Sequence, residues 1–338
     1  MIIRKALTFR ASSIGDCLMG KYLLENVHAA YPDARFGVVV SSRGAMIRDL
    51  FAAYPWLEVI EANRRDPQSL LRLWRDWRGS DLVVTQYAGK PGGRFSFASK
   101  VAARLLARRG GLVGFTDAWR SNRFLYDHLV SFRGDTAPAA LEREALRVAG
   151  VPISLERPMM QYAPISRVAE KFGIAPGSYL IVHLFSGNAG RGLHPDKKRA
   201  LLRALAEEIP DTHLVVSGGV GDREEALTAA RGLPASVIAG DATLQELMNL
   251  IAGSAGVVSV DTGIAHIAAQ IGTPLIVLAS CLGLHWWGEG QYGPDASLTT
   301  FTRADYCVAG HVSGPFPVCL NEIDVTAVAR QALLLQSE

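Results

Sequence analysis

Apolar and polar positions along this chain switch repeatedly between two periods. Short runs rich in Val, Ile, Leu and Phe recur, and each is followed by a stretch with helical spacing. In the first half the pattern predicts strands over Ile2–Phe9, Arg35–Val40, Leu57–Glu61, Leu82–Thr85 and Leu112–Phe115. Helices are predicted between them, over Asp16–Ala30, Ala45–Ala53, Pro67–Trp77 and Phe95–Arg108. Leu18, Tyr22, Leu23, Asn26 and Val27 fall near one side of the first helix, and Leu70, Leu71, Leu73, Trp74 and Trp77 give the third its apolar side. Gly150–Pro164 holds Pro152, Pro158 and Pro164, has no periodicity and reads as a domain linker. The alternation then restarts. Strands are predicted over Tyr179–Phe185, His213–Ser217, Ser236–Ile238, Gly256–Val260 and Leu275–Leu278. Helices are predicted over Pro195–Glu208, Asp222–Arg231, Leu244–Ala252, Ile264–Ile271 and Val325–Leu335. Such alternation predicts an α/β fold of two Rossmann-like halves, each a parallel sheet with helices on both faces.

Length and composition agree with this picture. The 338 residues suit about two domains. With 49% hydrophobic and 20% charged residues, the chain has the apolar surface to offset its conformational entropy, which excludes a disordered protein. Cys17, Cys281, Cys307 and Cys319 are too few for a disulfide scaffold. They form no CxxC pair, which argues against a zinc ribbon; packing is one role open to them, and the sequence does not fix it. The start, Met1-Ile2-Ile3-Arg4-Lys5, lacks the apolar run of a secretory signal, so the expected location is the cytoplasm. Thr262–Gly288 lacks Asp, Glu, Lys and Arg, but His266, Gln270, Gly272, Pro274, Gly283 and His285 interrupt it. A helix, a turn and a buried strand account for that stretch better than a membrane span.

Charge separates the two halves. Residues 1–160 hold 24 Lys and Arg against 15 Asp and Glu, a balance of +9. Residues 161–338 hold 11 against 17, a balance of −6. A basic first half suits an anionic partner, such as a phosphorylated glycan or a membrane surface. A merely Arg-rich solvated surface is the plainer alternative. Nucleic acid is not expected, since the chain shows no recognition helix and no interleaving of aromatic and basic residues.

Three segments at predicted strand ends carry the candidate chemistry. Arg10-Ala11-Ser12-Ser13-Ile14-Gly15-Asp16 links the first strand to the first helix. Gly15 permits close backbone approach, and Asp16 at the helix start is a candidate general base. The other reading is that Ser13 or Asp16 only caps the helix. In Val257–His266, a buried strand turns through Asp261, Thr262 and Gly263 into a helix that carries His266 one turn on. Helix N–H groups there suit a phosphate, and Asp261 would accept from ligand hydroxyls. A capped helix with a core histidine is again the alternative. Ser186–Pro195 combines Gly187, Gly190 and Gly192 with Arg191 ahead of a Pro-started helix, and Gly218-Gly219-Val220-Gly221 follows the next strand. Together these loops suit a nucleotide diphosphate. There is no Asp-x-Asp, no Walker lysine loop and no Gly-x-Ser-x-Gly elbow. Trp286-Trp287 reads either as a stacking wall or as a packing pair.

These segments resemble glycosyltransferase family 9, the ADP-heptose:lipopolysaccharide heptosyltransferases. The likeness rests on Arg10–Asp16, Ser259–Gly272, Gly187–Pro195 and Cys319-Leu320-Asn321-Glu322-Ile323, and it spans nearly the whole chain. The resemblance implies a GT-B fold: two Rossmann-like domains with parallel sheets facing a central cleft. It implies an acceptor domain over 1–155, a nucleotide-sugar domain over 165–320 and a last helix, 325–338, returning to the first. It also implies inverting transfer of a heptose or related sugar, without a metal or cofactor. The donor would be a nucleotide diphosphate, ADP-heptose first. The acceptor would be an anionic glycolipid or glycan at the inner membrane face.

Carried over by position, Asp16 is the catalytic base and Ser12, Ser13 and Gly15 form the acceptor loop. Asp261, Thr262, Gly263, His266, Gly187, Arg191 and Gly219 fall on the donor side, with Asp222 or Glu224 as a further donor or structural acid. The family's lysine position is occupied here by Gly192, with Arg191 beside it. Three other readings stay open: a sugar-nucleotide epimerase, a transferase using another donor, and a non-catalytic nucleotide or glycan binder.

Overall fold

The computed structural model describes residues 2–88, 93–119, 122–174, 179–188, 191–288, 290–294, 297–307 and 316–335. The chain divides into two compact units. One comprises Met1–Pro158 and Gly288–Pro294, the other Met159–Trp287 and Asp295–Glu338.

The first unit is built on strands β1 (Lys5–Phe9), β2 (Arg35–Val40), β3 (Leu57–Glu61), β4 (Leu82–Val84), β5 (Leu112–Phe115) and β6 (His128–Val130). They form one sheet in the order β3-β2-β1-β4-β5-β6, every pair parallel. Parallel strands need crossovers, and helices supply most of them: α1 (Ile14–Ala30), α2 (Gly44–Leu50), α3 (Pro67–Trp77), α4 (Phe97–Leu106) and the short α5 (Asn122–Leu125). Helix α6 (Pro138–Val148) follows β6 and lies against α1. The predicted inner face of α1 is wholly buried: Leu18, Tyr22, Leu23, Asn26 and Val27 are all sealed from solvent. Helix α3 departs from expectation. Leu73 and Trp77 are buried, but Leu70, Leu71 and Trp74 stay exposed. Only one edge of its apolar stripe finds the sheet.

After α7 (Val168–Lys171), the second unit repeats the plan with β7 (Tyr179–His183), β8 (His213–Ser217), β9 (Ala235–Val237), β10 (Gly256–Val260), β11 (Leu275–Leu278) and β12 (Leu298–Phe301). The order is β12-β11-β10-β7-β8-β9, again all parallel. Its helices are α8 (Pro195–Glu208), α9 (Arg223–Ala230), α10 (Leu244–Ala252), α11 (Gly263–Ile271), α12 (Val318–Asn321) and α13 (Val325–Leu334). In both sheets the first strand lies between the second and the fourth. That reversal is the topological switch point of a doubly wound sheet, where ligands lodge beyond the strands' carboxyl ends.

The path of the chain near its end differs from expectation. Helix α13 packs on α8, and Val328, Ala329 and Ala332 enter the core of the second unit with Leu320 and Ile323. The segment that rejoins the first unit is instead Gly288–Pro294. Gln291 is fully buried there. Its Oε1 accepts from the Ala139 N–H at 2.9 Å, and its Nε2 lies 3.3 Å from Met19 Sδ.

Candidate active site

In the first unit the switch point lies between β1 and β4, and the loops after both strands are joined. Gln86, just beyond β4, accepts the Ala11 N–H through Oε1 at 2.5 Å. Ser12 accepts the Ser42 N–H at 3.1 Å, which ties the same loop to the end of β2. Ser13 caps α1 and Asp16 sits in its first turn, half-buried. The Ser13 hydroxyl donates to Asp16 Oδ2 at 2.6 Å, and the Asp16 N–H returns to Ser13 Oγ at 3.3 Å. Capping and placement of the carboxylate are therefore one arrangement. Ser13 orients the acid that the sequence singles out.

Beneath this loop lies a buried ion pair. Arg10 meets Glu142 of α6 with Nη1 2.6 Å from Oε1 and Nη2 2.8 Å from Oε2, and both side chains are sealed from solvent. Burial alone would lower the pKa of the Arg10 guanidinium, but attraction and hydrogen bonding to Glu142 outweigh burial and raise it. The pair fixes the loop from below. Beside it a cavity of about 400 Å³ is lined by Arg10, Ala11, Ser41, Arg64, Phe95 and Ser96, among others. Sequence reasoning misses Glu142 as a site residue, since it stands 132 positions from its partner.

In the second unit the switch point lies between β7 and β10, and again the two loops meet. Arg191 follows β7 and donates from Nη1 to the Asp261 carbonyl at 3.3 Å. The same nitrogen lies 3.4 Å from Asp261 Oδ2. The Arg191 side chain is 36% exposed, and that of Asp261 only 1%. Asp261 is thus not turned outward to accept ligand hydroxyls, as the sequence suggested. Its carboxylate faces inward toward Arg191, His266 and Trp287. Burial raises its pKa, and Arg191 opposes that rise. The next turn leaves no room for a side chain: a Cβ on Gly283 would overlap Asp261 Oδ2.

His266 is a core residue. Its Nε2 lies 3.8 Å from Asp261 Oδ1, and its ring stacks on Trp287 at 4.4 Å between centroids and 3° between planes. Burial, aided by Arg191 and His285, lowers its pKa to about 3, so the ring is neutral at pH 7. Trp287 is buried and is the packing partner of this histidine. Thr262 is the N-cap of α11 but makes no side-chain cap bond, and Gly263 opens the helix. The first-turn N–H groups of α11 therefore lack a side-chain cap at the end where the helix dipole is positive.

The remaining donor-side candidates separate by role. Asp222 Oδ2 accepts the Gly219 N–H at 2.8 Å and closes the turn after β8, while Glu224 is exposed on α9. Asp222 is thus the structural acid of the two. Gly187 faces open space, with no heavy atom within 4 Å of where a Cβ would stand. Gly190 lies outside the described residues. Asn321, in the closing motif, supplies a further support. Its Oδ1 accepts the His194 N–H at 2.7 Å, and its Nδ2 donates to the Gly192 carbonyl at 3.1 Å. The motif thereby fixes the loop that carries Arg191. Sequence reasoning also misses His183, at the end of β7. Its Nδ1 lies 3.0 Å from Ser217 Oγ, and burial lowers its pKa to about 4.

Residues 195–279, from α8 through β11, match the model of glycosyltransferase family 9 (heptosyltransferase). That stretch, about a quarter of the chain, is what this protein shares in sequence with the family. No curated protein matches it in sequence. Solved structures match its fold over nearly the full length. A family 9 glycosyl transferase from Veillonella parvula DSM 2008 is 14% identical with a TM-score of 0.76, over 99% of this chain and 97% of that one. The ADP-heptose lps heptosyltransferase II of E. coli is 19% identical with a TM-score of 0.70, over 98% of each. The E. coli heptosyltransferase WaaC with ADP is 18% identical with a TM-score of 0.69, over 98% of this chain and 99% of that one. The two parallel six-stranded sheets are those of the GT-B fold.

Proposed function

We propose that this protein is a glycosyltransferase that moves a heptose, or a closely related sugar, from ADP-heptose to a hydroxyl of an anionic glycan such as a lipopolysaccharide core. The observation that carries the reading is the Arg191–Asp261 contact across the second switch point, beside the N-terminus of α11. A guanidinium held by a buried carboxylate, next to helix N–H groups without a side-chain cap, suits a diphosphate. The solved E. coli relative with ADP supports adenine as the base.

The chemistry follows from these placements. Asp16 takes the proton of the acceptor hydroxyl. The acceptor oxygen forms a bond to the anomeric carbon as the bond to the diphosphate oxygen breaks. The electron pair leaves with the diphosphate, and the anomeric centre inverts. Arg191 and the α11 N–H groups stabilise the departing charge, so the reading needs no metal at the diphosphate. The basic first half favours a phosphorylated or carboxylated acceptor. Among the described residues no helix is long and apolar enough to cross a membrane, so a lipid-anchored acceptor would be met from the membrane surface.

A thermal-shift and calorimetry panel of ADP, UDP, GDP and dTDP, followed by a transfer assay with ADP-heptose, tests the proposal. ADP should bind best, and sugar should move only when acceptor is present. Donor turnover to an isomeric nucleotide sugar without acceptor would point to an epimerase. Tighter binding of another nucleotide would replace the donor. Nucleotide binding without transfer to any glycan acceptor would leave a binding protein.

A further inference from the structure

Three of the four cysteines, far apart in sequence, come together in the second unit. Cys281 lies in the loop after β11, Cys307 ends a short helical turn over Ala304–Cys307, and Cys319 lies in α12. Their sulfur atoms all lie within 4.8 Å of one another. Cys319 is buried and the other two are half-buried. The Cys281 N–H points to Cys319 Sγ at 3.5 Å, a backbone donor of the kind that supports thiolate ligands. We propose that Cys281, Cys307 and Cys319 bind a single zinc ion, which ties the loop after β11 to the C-terminal segment.

The spacing favours one ion over the alternatives. Tetrahedral zinc with Zn–S bonds of about 2.3 Å separates its sulfurs by roughly 3.8 Å, so shifts of about an ångström bring the three thiolates onto one ion, with water in the fourth position. A disulfide would use two of the three and leave the third unexplained. An iron–sulfur cluster places its cysteines on different irons, farther apart than one ion requires. Soft thiolates select zinc over the hard cations that serve phosphates. Three thiolates also lower the Lewis acidity of the ion, which suits a structural role. The ligands have no CxxC spacing and meet only through the fold, so the pattern of cysteines along the chain does not announce the site.

The position of the trio gives the ion a purpose. Cys281 stands two residues before Gly283, the glycine packed against the Asp261 carboxylate. Cys319 stands two residues before Asn321, which holds Gly192 and His194. One ion would therefore brace both supports of the Arg191–Asp261 contact.

The test uses the full chain, expressed untagged with zinc in the medium and purified without chelator. Elemental analysis should find about one zinc per chain. Cobalt titration of the metal-stripped protein should give the thiolate charge-transfer and ligand-field bands of a tetrahedral thiolate site. Cys281→Ser, Cys307→Ser and Cys319→Ser should each lose zinc, and Cys17→Ser should keep it. The wild-type cobalt spectrum decides the matter even if a variant fails to fold. The proposal falls if the wild-type protein takes up no zinc or cobalt, if it takes up iron or copper in preference, if non-reducing mass spectrometry finds a disulfide within the trio, or if Cys281→Ser retains full zinc.

Discussion

Arg191 reaches Asp261 across 70 positions of sequence because β7 and β10 are adjacent strands whose ends lie side by side. The contact makes a surface cation depend on a buried anion. Arg191→Ala should weaken ADP binding about 10- to 100-fold, the loss of one or two charge-assisted hydrogen bonds. Arg191→Lys should recover only part, because an ammonium lacks the planar fork. Calorimetry with ADP measures both, and unchanged affinity in Arg191→Ala would move the diphosphate elsewhere.

Asp16 and the nucleotide should be separable. Asp16→Asn keeps the size of the side chain and removes its basicity. ADP affinity should stay within about twofold, while transfer falls on the order of 10²- to 10⁴-fold. A transfer assay at saturating donor reads the effect. Full activity in this variant would remove Asp16 from the chemistry.

Two glycines of the candidate donor side should respond in opposite ways. Gly283→Ala forces a methyl group into the Asp261 carboxylate and should cost about 1–3 kcal/mol of stability, with weaker ADP binding. Gly187→Ala meets nothing and should change stability by less than about 0.5 kcal/mol. Urea denaturation of the two variants side by side gives the comparison.

The Arg10–Glu142 pair predicts a large stability effect within the first unit. Glu142→Gln leaves a buried guanidinium without its counter-charge and should cost about 3–5 kcal/mol. A drop of less than about 1 kcal/mol in urea melts would show that the arginine finds water or another partner.

Acid should destabilise the protein before most carboxylates titrate. Burial holds His183 down at about 4 and His266 at about 3, against an ordinary 6.5. The unfolded chain therefore takes up protons between pH 6.5 and about 4 that the folded chain refuses. The contribution of these rings is whole above pH 6.5 and is lost as the pH falls toward those values. The loss is on the order of 3 kcal/mol for each ring. Urea midpoints from about pH 7.5 to about 4.5 should fall accordingly, and the fall should shrink in His183→Gln.

Most of the alternation was legible because parallel strands buried on both faces leave continuous apolar runs. What escaped was short or masked by polarity. Strand β6 has three residues, and β12 is Leu298-Thr299-Thr300-Phe301, half-buried throughout. Helix α6 hid because its inner face includes Glu142, a charge that only the distant Arg10 makes tolerable there. The site divides in the same way. Asp16 and Asp261 stand out because they follow strand ends. The inward turn of Asp261, the close approach of Gly283 and the bracing by Asn321 depend on which loops the sheet order makes neighbours.

The return of Gly288–Pro294 has a practical corollary. The first unit is completed by seven residues encoded far downstream, so a fragment ending at Pro158 would lack Gln291 and leave the Ala139 amide without its acceptor. A fragment beginning at Met159 would carry the same strip with nothing to lie against. Neither half can be excised as one uninterrupted stretch. Chimeras that swap the first unit between relatives would therefore need to exchange this heptapeptide together with the amino-terminal portion.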